Sequence, residues 1–198
     1  YNIVGASYDS VSFSVAGQET TPLGMIFGNN GTKMYIVGAG ASVYQYTLSS
    51  GFDLSTASYD SVSFSVTSQD TSPRGIAFNL TGEKMFIIGQ GSDAIYQYTL
   101  SIAWDVSSAS YDSASFSVSA QDTTPQDLFF NLDGSKFFMV GDTTDTVYQY
   151  SLSTPFVISS ASYDSVSFSA ASQSTGCVAL SFNNTGTRMF ISDFQNDT

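Results

Sequence analysis

An all-β fold made of tandem repeats is what this sequence predicts, on three observations. First, Ala-Ser-Tyr-Asp-Ser recurs at Ala6, Ala57, Ala109 and Ala161, in steps of 51, 52 and 52 residues. Such self-similarity at a fixed period marks a repeat architecture. Second, the apolar residues alternate with Ser and Thr at a period of two, and no segment shows a helical period. Third, Ser and Thr together exceed a quarter of the residues, a composition poor for helices and suited to strands where Val, Ile, Phe and Tyr intervene.

Each repeat reads as four short strands. An aromatic opens the unit: Tyr1, Phe52, Trp104 and Phe156. After Tyr-Asp-Ser, the run Val11-Ser12-Phe13-Ser14-Val15 puts its apolar side chains on one face and its serines on the other. A glutamine follows (Gln18, Gln69, Gln121, Gln173), then a polar stretch ending in Pro22, Pro73 and Pro125, with Cys177 in the fourth place. The second strand is a nearly continuous apolar run, Met25-Ile26-Phe27 or Gly75-Ile76-Ala77-Phe78, as expected of a strand covered on both faces. The turns Asn30-Gly31, Thr81-Gly82, Asp133-Gly134 and Thr185-Gly186 lead to a third strand, Met34-Tyr35-Ile36-Val37 and its relatives. A Gly/Asp-rich loop then leads to Val43-Tyr44-Gln45-Tyr46-Thr47-Leu48, which alternates again.

Four strands in about 50 residues is the mark of a propeller blade. The expected fold is therefore all-β and β-propeller-like, one domain over residues 1–198, with four four-stranded blade repeats at 1–51, 52–103, 104–155 and 156–198. The last blade is incomplete, because the fourth repeat lacks its Val-Tyr-Gln-Tyr strand. Three readings of that gap stand open: a piece of a longer propeller, an imperfectly closed four-bladed ring, or a protomer whose neighbours supply the strand. The segments Pro73–Phe78, Thr81–Ile88 and Ile95–Tyr98 resemble the YVTN/NHL-like propeller repeats, and the period is comparable with WD40 and kelch repeats. The resemblance implies a propeller and says little of activity.

Charge and composition exclude several functions. With 17 acidic and 5 basic residues the formal net charge is −12, which opposes binding to nucleic acid or to an anionic membrane surface. No apolar stretch approaches the length of a spanning helix, so membrane insertion is not expected. The single cysteine, Cys177, excludes an internal disulfide framework. There is no histidine, hence no His-based triad and no His-containing metal site. Low charge, few lysines and abundant Ser/Thr point to an extracellular location or a cell or virion surface.

Several residues stand out. Four of the five basic residues share one repeat position: Lys33, Lys84, Lys136 and Arg188. They form either a ring recruiting an anionic ligand or, as a structural role, pairs with the repeated Asp9, Asp60, Asp112 and Asp164; the second is expected, since repeated features usually hold a repeat together. The pairs Tyr44/Tyr46, Tyr96/Tyr98 and Tyr148/Tyr150 are either platforms for sugar rings or cross-strand packing, with packing favoured. Asn30, Asn79, Asn183 and Asn196 open Asn-x-Ser/Thr sequons and are candidate glycosylation acceptors. Asp93, Asp142, Asp145, Asp193 and Asp197 fall in loops, where solvated turn acids are a better reading than a Ca²⁺ site. Asp127 interrupts a position held elsewhere by Gly24, Gly75 and Ala179. Lactonase-type propellers hold a catalytic metal with Glu, Asn and Asp in the central channel, and that arrangement does not recur here.

The expected function is a non-enzymatic extracellular structural or adhesive module, a protomer of a surface fibre, with self-association or neighbouring repeats as partners. No cofactor, metal or catalytic residue is expected. A carbohydrate- or ligand-binding propeller, with glycans as partners, is the alternative. A fragment of a lactonase-like hydrolase is the remote one.

Overall fold

The computed structural model describes residues 7–195. Strands β1 (Pro22–Gly28), β2 (Lys33–Gly38), β3 (Ser42–Leu48) and β4 (Ala57–Ser65) form one antiparallel sheet in that spatial order. β5 (Pro73–Phe78), β6 (Lys84–Gly89), β7 (Ala94–Leu100) and β8 (Ala109–Ser117) form the second. β9 (Pro125–Phe130), β10 (Lys136–Gly141), β11 (Thr146–Leu152) and β12 (Ala161–Ser169) form the third. Among the described residues a fourth sheet has two strands, β13 (Cys177–Phe182) and β14 (Met189–Asp193). The inner strands β1, β5, β9 and β13 pack side by side, giving a propeller-type arrangement.

Each of the three four-stranded sheets takes three strands from one sequence repeat and its fourth from the next. Among the described residues the run Val11–Val15 is not in a strand, although Phe13 and Val15 pack on the cluster of Met34, Ile36, Tyr46 and Leu48.

The core lies between sheets, which explains the continuous apolar runs: Met34 to Gly38 in β2 are all buried, facing a neighbour on either side. Tyr35, Val37 and Val43 meet Met85, Ile87 and Tyr98 of the second sheet. Phe86, Ile88 and Ile95 meet Phe137, Met139 and Tyr150 of the third. Full burial of such side chains stabilises by about 1.5–3 kcal/mol each.

The recurring Asp-Ser of the outer strand is a bulge. Gln45 pairs with Val62 but Tyr46 with Tyr59, so Asp60 and Ser61 share one step of the ladder, and Ser61 takes φ 59°. The bulge presents Asp60 to three donors: Lys33 Nζ at 2.8 Å, Gln45 Nε2 at 2.9 Å and Thr47 Oγ1 at 2.9 Å. Gln45 Oε1 in turn accepts the Val106 N–H at 2.9 Å from the β7–β8 connection of the second sheet. Lys84–Asp112 and Lys136–Asp164, both at 2.9 Å, repeat the ion pair. Three of the four repeated cations, Lys33, Lys84 and Lys136, are thus held one to a sheet in pairs with the bulge acids.

A second buried acid is invisible in the repeat phrase. Glu19, Asp70 and Asp122 are each below 5 % exposed. Asp70 Oδ1 accepts Ser72 N–H and Gly91 N–H, and its Oδ2 accepts Ser92 N–H, tying the loop before β5 to the loop after β6. Asp122 holds Thr124 and Thr144 in the same way.

Candidate functional site: the charged end of the inner strands

Every inner strand carries a bulge at its second residue. Pro73 pairs with Gly89 and Gly75 with Ile88, leaving Arg74 outside the ladder. The same skip falls at Leu23, Gln126 and Val178. Bulges re-aim side chains, and here they mark the end of the inner strands where the sequences diverge. Arg74 is the one basic residue outside the repeated position, and Asp127 stands where the other inner strands have Gly or Ala.

Asp127 bridges two sheets. Its Oδ1 accepts its neighbour Leu128 N–H at 2.9 Å, and its Oδ2 accepts the Leu180 N–H of β13 at 3.0 Å. The carboxyl fits because position 75 is glycine: a Cβ there would lie 2.7 Å from Asp127 Oδ1. Burial pushes the Asp127 carboxyl up to about 7, the two backbone donors offsetting only part of the effect.

Arg74 reaches the loop that follows β6. Its Nη2 donates to Gln90 Oε1 at 2.6 Å, and its charge opposes a rise at Asp142. Burial first, then the charges of Asp145 and Asp122, still leave the Asp142 carboxyl above its ordinary value. Asp93, three residues beyond Gln90 and in the left-handed region at φ 50°, is raised by burial and by Asp122 and Asp70. Arg74 Nε and Asp93 Oδ1 are both buried without a hydrogen-bond partner among the described residues. This end of the inner strands thus combines a carboxyl that titrates near neutrality, a guanidinium, and two orphaned polar atoms.

Among the described residues no group of three or more Asp, Glu or Cys side chains is placed to hold a metal ion. Asp70 and Asp122 each accept backbone N–H groups from two loops.

The other candidate residues lie elsewhere. Lys33, Lys84 and Lys136 sit in their ion pairs on β2, β6 and β10. Arg188 lies in the hairpin before β14, where its N–H donates to Asn183 Oδ1. Tyr46, Tyr98 and Tyr150 are fully buried, so they offer no ring face to a sugar, and burial raises their hydroxyls above the ordinary value. Asn79 and Asn183 brace their own turns, Asn79 accepting Lys84 N–H and donating to Thr81 Oγ1. Asn30 is an exposed turn residue at φ 55°. Asn196 and Asp197 lie outside the described residues. Cys177 is buried, its thiol raised by burial. Arg74 was missed by sequence reasoning, although its departure from the repeated basic position was a signal. Gln90 is placed beside it by the β5–β6 hairpin.

No family model matches the chain, and no curated protein matches it. Solved structures do. A protein of Bacteroides uniformis named as a candidate 6-phosphogluconolactonase is 14 % identical, with a TM-score of 0.60 over 86 % of this chain and 49 % of its own. A protein of unknown function from Desulfotomaculum acetoxidans is 16 % identical, TM-score 0.60, over 88 % of this chain and 52 % of its own. A second candidate 6-phosphogluconolactonase, from Bacteroides fragilis, is 10 % identical, TM-score 0.55, over 75 % and 39 %. The chain spans about half the length of the first two structures. At these identities the likeness establishes a propeller-type fold. It also corrects two expectations, the adhesive, fibre-forming module and the absence of an enzyme: the fold neighbours carry lactonase names and favour the hydrolase alternative. The physical reason is that a lack of histidine removes only one set of groups titrating near neutrality, and burial raises the Asp127 carboxyl towards that range.

Proposed function

We propose that the chain forms part of a lactonase-type propeller hydrolase that opens the ring of a sugar-acid lactone at the charged end of the inner strands. The observation that carries this reading is Asp127, an acid that breaks the Gly/Ala register of the inner strands and lies between β9 and β13 on the Leu128 and Leu180 N–H groups, where burial pushes its carboxyl up to about 7. A proton carrier works best with a pKa near the operating pH. The fold likeness to proteins with lactonase names supports the reading.

In this mechanism ionised Asp127 takes a proton from water as the water oxygen bonds to the lactone carbonyl carbon. The ring C–O bond then breaks, and the ring oxygen takes that proton back, leaving an open-chain hydroxy acid. Arg74 is assigned to the charge that develops on the carbonyl oxygen, its Nε having no other partner among the described residues. On motif grounds we also read the blades as YVTN/NHL-type.

The test is acid release from glucono-δ-lactone and 6-phosphogluconolactone by the full-length protein at constant pH. The expected result is hydrolysis above the buffer rate that rises through an apparent pKa near 7 and falls about 10²–10⁴-fold in Asp127→Asn. Hydrolysis no faster than buffer, or unchanged in Asp127→Asn, overturns the reading.

A further inference from the structure

The inner strands end, on the side away from Arg74 and Asp127, in a cavity of about 630 Å³. Its wall is carbon: Ile26, Ala77, Phe78, Phe129, Phe138 and Phe182 come from all four sheets. Phe182 holds the wall together, with ring centroids 5.3 Å from Phe129 and 4.6 Å from Phe138. The volume is in the range of small-molecule sites, about 300–1,000 Å³.

Four polar side chains on the rim are already bound, while Asn184 is exposed at the last hairpin tip. Asn131 Oδ1 accepts Lys136 N–H and its Nδ2 donates to Ser135 Oγ, while Asn183 is bound into its turn in the same way. Lys136 Nζ donates to Asp164 and Ser151, and Asp133 accepts from Ser135. An ion entering the cavity would exchange its hydration for a wall of aromatic carbon. An anion would also face the field of a chain at −12.

The hairpin tip at the mouth is itself apolar. Leu132 lines the cavity yet is 61 % exposed, at a turn position where polar residues are the rule. Leu80 occupies the same place in the preceding hairpin, also exposed, but does not line the cavity.

We infer that this cavity is a binding site for one uncharged aromatic or alicyclic small molecule, seated among the phenylalanines and touched at its mouth by Leu132. It is independent of the lactone chemistry, whose residues lie at the other end of the strands.

The test uses the full-length protein and the uncharged fluorophore N-phenyl-1-naphthylamine, which brightens on leaving water. The expected result is saturable binding at one site per chain, not displaced by glucono-δ-lactone. Ala77→Phe, which fills the cavity, weakens binding at least about tenfold. Leu132→Asn weakens it severalfold at an exposed tip where folding is not at stake, while Leu80→Asn leaves it unchanged. Urea midpoints for each variant separate lost binding from lost structure. No saturable enhancement, or equal binding by Leu132→Asn and the parent, overturns the inference. Hydrolysis is read separately, so failure here leaves the lactonase reading standing, and the reverse.

Discussion

The indole of Trp104 covers Gly82, the backbone N–H of Trp104 donating to the Gly82 carbonyl at 3.0 Å. A Cβ at Gly82 would lie 2.2 Å from the ring, and Gly82 takes φ +73°. Phe52 over Gly31 and Phe156 over Gly134 repeat the contact. The aromatic that opens each repeat therefore closes the hairpin before it.

Gly82→Ala meets two penalties, a left-handed backbone and a ring in the way. Gly186, at φ +67°, has nothing within 4 Å of a built Cβ and meets only the first. Urea unfolding is expected to show Gly186→Ala costing about 1 kcal/mol and Gly82→Ala more than twice that. Equal losses would mean that the ring contact contributes nothing.

Asp112 is a hub and Lys84 one of its spokes. The carboxylate accepts from Lys84 Nζ at 2.9 Å and Gln97 Nε2 at 2.7 Å, and Thr99 bonds the same Lys84 Nζ at 2.6 Å. Asp112→Ala is expected to cost about 2–3 kcal/mol, since it strands several partly buried donors. Lys84→Met should cost about 0–1 kcal/mol, the usual worth of a partly exposed pair. A larger loss in Lys84→Met than in Asp112→Ala would refute this ordering.

Acid should release all three hubs. Burial alone would raise the Asp60, Asp112 and Asp164 carboxyls, but their hydrogen bonds and lysines outweigh it and hold them below the ordinary value of 3.8. Their contribution to stability is fully present above the unfolded value and is lost as pH falls through the lowered folded values. A thermal midpoint that drops steeply below about pH 4, less so in Asp112→Asn, is the expected outcome.

Asp127 works in the opposite sense. In the unfolded chain its carboxyl ionises near 3.8, and in the folded one only at about 7. Between those values the folded state binds more protons, so this group's share of stability falls as pH rises and is fully lost above about 7. The uncharged Asp127→Asn lacks that fall. Its urea midpoint relative to the parent is expected to rise from pH 5 to pH 8, the hubs cancelling in the comparison. A flat difference would show that Asp127 is solvated as an ordinary surface acid.

Gln97 spans two sheets, its Oε1 accepting the Ile158 N–H at 2.8 Å across 61 residues. Gln97→Leu keeps the packing volume but leaves a buried N–H without an acceptor, at a cost of about 1–3 kcal/mol. Hydrogen exchange at the Ile158 amide is the direct readout, and retained protection would show that another acceptor takes over.

The sequence by itself determined the all-β class, the period, the turns and the alternating strands, because these follow from local backbone preference and a two-residue period written four times. The lysine–aspartate pairing was also within reach, since both partners recur in step. Only the tertiary structure decided which strands share a sheet: the Ala57–Ser65 run joins the sheet before it, a choice made by burial between sheets that no single repeat encodes. The buried Asp70 and Asp122 were illegible for a similar reason, as the amides they hold lie about 20 residues away. Asp127 was visible as an oddity, but its titration near 7 comes from the walls that β5 and β13 place around it. The Arg74–Gln90 hydrogen bond appeared only once the β5–β6 hairpin was formed. Local order was written in the repeat, and chemistry arose where the repeat was broken and the fold enclosed the break.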